Sequence, residues 1–124
     1  MRGLLMIGAA ALLTGCVSSP SLTGTMGAPS FEALQRMCTA QPVDYGKDAQ
    51  GVYAALFDAY VANRRGALSK DDFCAFQAAI AQRHASEGMS ADPHARNQWV
   101  EFFTAQRAKA LSWRAAVDPT LRSG

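Results

Sequence analysis

The side chains best suited to chemistry lie in one short stretch. His84 and His94 flank Glu87, Met89 and Asp92. Imidazole, carboxylate and thioether together form a donor set for a transition metal. Their spacing matches no compact ligand motif, since zinc sites show tight pairs such as i, i+4 on one helix. The plainer reading is a polar turn between two helices, with Asp92 capping the second. His84 and His94 are the metal candidates, and no cofactor is expected. General acid–base work needs carboxylates or histidines gathered in a pocket. The acids are Glu32, Asp44, Asp48, Asp58, Asp71, Asp72, Glu87, Asp92, Glu101 and Asp118. Several fall at predicted helix starts, where negative charge is favoured in any case. No Ser/His/Asp or Cys/His constellation stands out, so no catalytic residue is assigned and the chain is read as non-enzymatic.

A second group is basic. Arg96, Arg107 and Arg114 fall along one line of a predicted helix, beside its aromatic stripe, and Gln106 falls inside the apolar arc. Such a strip could meet an acidic protein surface, lipid headgroups or lipopolysaccharide phosphates. The competing reading makes the aromatics core, the arginines a solvated flank and Gln106 a hydrogen-bonded core amide.

These groups need elements to hold them, and the pattern is helical throughout. Ser30 is a predicted N-cap, followed by Phe31, Leu34 and Cys38 at i, i+3, i+7. This helix is expected to stop before Pro42. A second helix is expected from about Asp48 to Asn63, with an apolar surface wide enough for more than one neighbour. Gly66 is its stop. Ser69 and Asp72 resemble a capping box, with Leu68 and Phe73 as a hydrophobic staple. Phe73, Phe76 and Ile80 then form a core stripe that Gly88 closes. Asp92-Pro93 opens the fourth helix. Its Ala95, Trp99, Phe102, Phe103, Ala110, Trp113 and Val117 share about 100° of arc, and Asp118-Pro119 ends it. The expected fold is an all-α bundle of about four helices over residues 30–118, with a C-terminal tail at 119–124.

The amino end says where the chain belongs. Arg2 precedes an apolar run from Leu4 to Leu13, then Leu13-Thr14-Gly15-Cys16. That order of charge, apolar stretch and small residues is a secretion signal. The run is too short for a helix crossing a ~30 Å bilayer core. The tetrapeptide resembles the lipobox of bacterial lipoproteins. The resemblance implies cleavage before Cys16 and lipidation of its sulfur, with residues 1–15 as signal peptide. Val17-Ser18 lacks the aspartate that retains such proteins in the inner membrane. The implied location is the outer membrane, facing the periplasm or the cell surface. Residues 16–29 form an uncharged Ser/Thr/Gly/Pro tether, able to reach about 20 Å as a flexible chain.

Without residues 1–15, 109 of the 124 residues remain and the formal charge falls from +2 to +1. A near-neutral chain lacks the basic footprint of nucleic-acid binding. Cys38 and Cys74 form an even pair in an oxidising compartment, where a structural disulfide is expected. Their spacing does not suit thioredoxin-like chemistry.

Residues 57–76 resemble a degenerate EF-hand. Gly66 takes the sixth loop position, Leu68 the eighth, Ser69 the ninth, Asp72 the twelfth, and Asn63 the third. Val61 replaces the first carboxylate and Arg65 puts a cation among the ligands. The resemblance therefore implies helix–loop–helix geometry without a calcium site. The functional expectation is a membrane-anchored, non-catalytic interaction or envelope-assembly module with an envelope protein as partner. The alternatives are a binder of lipopolysaccharide or peptidoglycan, and a small metal protein or enzyme using His84 and His94.

Overall fold

The computed structural model describes residues 28–38 and 41–122. The Leu13–Cys16 tetrapeptide and the tether up to residue 27 lie outside them. Among the described residues the fold is all α, with no strand.

Three helix starts follow from local capping chemistry. Ser30 Oγ accepts a hydrogen bond from the Ala33 amide at 3.0 Å and opens α1 (Phe31–Arg36). Ser69 Oγ accepts from the Asp72 amide at 3.0 Å and opens α3 (Lys70–Arg83). Asp92 Oδ1 accepts from the His94 amide at 3.1 Å and opens α4 (Pro93–Ala115). Such a bond satisfies one of the orphan amides at a helix start. The entry to α2 (Ala49–Arg64) is different. A 3₁₀ turn at Gly46–Asp48 leads into it, and Asp48, at the cap position, makes no side-chain capping bond. Its carboxylate is left for another use.

Two boundaries differ from the sequence expectation. The first helix ends at Arg36, followed by a turn at Met37 and Cys38. Gln35 draws the chain back here: its Oε1 accepts from the Val43 amide at 2.7 Å, and its Nε2 donates to the Val43 carbonyl at 3.4 Å. The C-terminal tail begins with a helical turn, α5 (Pro119–Arg122). Asp118 Oδ1 accepts from both the amide and the hydroxyl of Thr120. Asp118-Pro119 thus acts as a second copy of the Asp92-Pro93 start signal, and it opens a helix as well as closing one.

The core is built around α2, which packs against α1, α3 and α4. Leu34, Val52, Leu56, Phe73, Ile80 and Trp99 are fully enclosed. The staple pair Leu68 and Phe73 is buried as a unit, which sets the angle at which α3 leaves the loop. Gly66 sits at φ +86°, a conformation L side chains rarely adopt, and lets the Ala67 amide return to the Ala62 carbonyl at 2.8 Å. Cys38 is joined to Cys74, tying the turn after α1 to α3. Beside this link, Gln77 Nε2 donates to the Leu34 carbonyl at 2.7 Å. Tyr53 donates its hydroxyl proton to the Pro29 carbonyl at 2.8 Å, fixing the point where the chain enters the domain. Among the described residues no helix is long and apolar enough to cross a membrane.

Candidate functional site

His84 is the most unusual residue of the fold. α3 does not stop at Arg83 but widens into a π-helical turn over His84–Gly88. Turns of this kind appear often at functional sites because they re-aim one side chain. Here the turn points the imidazole inward, and only 2% of the side chain remains accessible. Tyr45 and Trp99 meet it edge-on, with ring centroids 4.9 and 5.0 Å away. Trp99 is in turn stacked on Phe103 at 5.1 Å. Arg83 and Glu87 brace the turn by an ion pair at 3.0 Å, and the Arg83 guanidinium lies over the Phe102 ring.

The free carboxylate of Asp48 now finds its place. Its Oδ2 stands 3.3 Å from His84 Nε2 without forming a hydrogen bond, and the nitrogen is buried without a hydrogen-bond partner. A buried unsatisfied polar atom costs about 1–3 kcal/mol, and a native fold that carries one calls for a reason. Around this pair opens a cleft of about 390 Å³, lined also by Tyr45, Lys47, Gly88, Met89, Ser90 and Arg96. Burial pushes the Tyr45 phenol up to about 12, so it stays neutral across the physiological range.

Gly88 is what lets the imidazole in. A Cβ built there would lie 2.4 Å from His84 Cδ2. Gly88→Ala is therefore expected to lower stability by about 1–3 kcal/mol, as overpacking does. The readout is a lower urea midpoint at unchanged slope. An unchanged midpoint would mean that the turn and the ring give way without cost.

The residues singled out in the sequence are not gathered into one place. His84 is buried, whereas His94 is exposed on the first turn of α4. Among the described residues no group of three or more His, Cys, Asp or Glu side chains could hold a metal ion. The arginine line is also divided. Arg96 and Arg107 are exposed, but Arg114 is turned inward onto Asp58 at 2.8 Å and Asp118 at 3.2 Å. Arg114 is thus neutralised within the fold, which corrects its expected place in an open basic strip. The hydroxyl of Thr120, then its amide and the Arg114 guanidinium, hold the Asp118 carboxyl below the usual carboxylate range. Gln106 is half-buried at a shallow groove between α3 and α4, beside Phe76, Lys109 and Trp113. In the loop with the EF-hand resemblance, Asn63 Nδ2 donates to the Leu68 carbonyl at 2.9 Å and Ser69 caps α3. Both side chains have structural tasks there.

Sequence reasoning placed His84 in a polar turn and gave Asp48, Lys47 and Tyr45 no part in a site. The one available signal was Asp48, an acid able to cap, at the start of a predicted helix. Comparison with protein-family models, with curated proteins and with solved structures found no match.

Proposed function

We propose that this chain is an outer-membrane-anchored lipoprotein whose helical domain serves as a non-catalytic protein-interaction or envelope-assembly module. The observation that carries the reading is Leu13-Thr14-Gly15-Cys16 behind Arg2 and a short apolar run. Acyl chains on Cys16 supply about 0.8 kcal/mol per buried CH₂, and two or more chains anchor stably. The uncharged tether gives the domain reach, and the cross-link between Cys38 and Cys74 suits an oxidising compartment. Cys16→Ser is expected to release the protein from the membrane fraction or leave its signal peptide uncleaved. Extraction identical to wild type would overturn the anchor. Crosslinking in the native bacterium, with capture of the acylated protein, is expected to return one dominant envelope protein.

A second reading is a binder of an envelope component such as lipopolysaccharide or peptidoglycan. Lys47 and Arg96, two exposed cations at the mouth of the His84 cleft, favour it. Recovery of lipopolysaccharide or peptidoglycan fragments alone in the same capture would replace the first reading with this one.

A further inference from the structure

The cleft beside His84 serves neither the anchor nor the disulfide. A larger cavity, about 440 Å³, lies next to Cys38 and Cys74, but its buried amides are engaged: Gln35 holds Val43 and Gln77 holds Leu34. The His84 cleft differs. Its wall contains a nine-tenths-buried imidazole whose Nε2 has no partner. Against the single carboxylate of Asp48 stand the cations of Lys47 and Arg96. Lys47 reaches Asp48 only at 3.8 Å, and Arg96 makes no ion pair among the described residues. A narrower groove of about 190 Å³ continues past the same Lys47, Gly88 and Arg96 to Asn97 and Val100. Met89 of the cleft and Val100 of the groove are 69% and 57% exposed.

The geometry points to a binding site for a small hydroxylated anion: a carboxylate or phosphate ester with a neighbouring hydroxyl. Lys47 and Arg96 take the anionic group by charge-assisted hydrogen bonds. Asp48 accepts the hydroxyl proton, and the hydroxyl oxygen keeps its lone pairs for a donor. His84 is a positioning residue: its ring, held by Tyr45 and Trp99, stands 3.3 Å from Asp48 Oδ2 without a hydrogen bond and limits where that carboxylate can sit at the cleft wall. The volume falls within the ~300–1,000 Å³ of small-molecule sites. A bare metal cation suits the place poorly, because Lys47 and Arg96 repel it. The inference depends on neither the anchor nor a protein partner.

Nitrogen-15 NMR of the full chain in detergent, titrated separately with lactate, acetate and glycerol 3-phosphate, tests it. Saturable shifts are expected at the Lys47, Gly88, Met89 and Arg96 amides, with lactate binding more tightly than acetate. Arg96→Gln and Lys47→Gln should each weaken binding about tenfold. Lys70→Gln, the same charge change on α3, should leave it unaltered. Asp48→Ala, which removes the acceptor, should abolish the preference for lactate over acetate. His84→Gln should do the same if it folds, whereas a merely structural role would weaken both probes alike. Saturation by lactate alone assigns a carboxylate, and by glycerol 3-phosphate alone a phosphate ester. Shifts that never saturate with either, or affinities unchanged in Arg96→Gln, would overturn the proposal.

Discussion

Breaking the Cys38–Cys74 disulfide is expected to cost the domain about 4 kcal/mol. The cysteines are 36 residues apart in sequence, and the chain-entropy model gives roughly that value for closing such a loop. The fold explains why little else compensates. α1 has six residues, far below the ~12–15 at which an isolated helix becomes marginal. It is held by Phe31 and Leu34 in the core and by the Gln77 amide on the Leu34 carbonyl. The measurement is urea unfolding of the Cys38→Ser/Cys74→Ser double variant against oxidised wild type. A loss below about 1 kcal/mol would mean that α1 and α3 hold together through their side chains alone, against the loop-closure expectation.

Trp99→Ala is expected to remove about 3–5 kcal/mol, the range for emptying a buried aromatic site. Trp99 is 2% exposed and joins parts of the fold distant in sequence. Its ring stacks on Phe103, meets His84 edge-on and lies near Phe102. Trp113→Ala is the natural comparison. Trp113 is half-buried and meets Phe76 with Lys109 above its ring, so a clearly smaller loss is expected. Equal losses by urea denaturation would show that the His84–Trp99 contact is not the stronger part of the core. A domain this small has only about 5–15 kcal/mol of net stability, so either large change alone could leave a substantial unfolded population.

The helix starts at Ser30, Ser69 and Asp92 were legible in the sequence because a cap is local: an oxygen and an amide two or three residues apart. The width of the apolar surface on α2 was legible too, and it packs on three helices. The site was not. His84 faces Asp48, 36 positions earlier, and meets Trp99, 15 positions later. No periodicity encodes such a meeting. The π turn depends on Gly88, which reads in sequence as a stop and acts in the fold as space for a ring. Arg114 shows the opposite failure. Its helical line was read correctly, but its partners sit on α2 and before α5, where a helical wheel cannot see them.

The cross-link after α1 also decides how the domain bears load. A pull on the amino end enters at Pro29, where the Tyr53 hydroxyl grips the carbonyl, and then reaches α1. Residues 29–37 can peel away, each paying out at most about 3.3–3.6 Å. At Cys38 the tension crosses a covalent bond to Cys74 and spreads into α3. The oxidised domain therefore has a short, built-in slack and then a hard stop, and a pull on its amino end bypasses the loop between Cys38 and Cys74, α2 included.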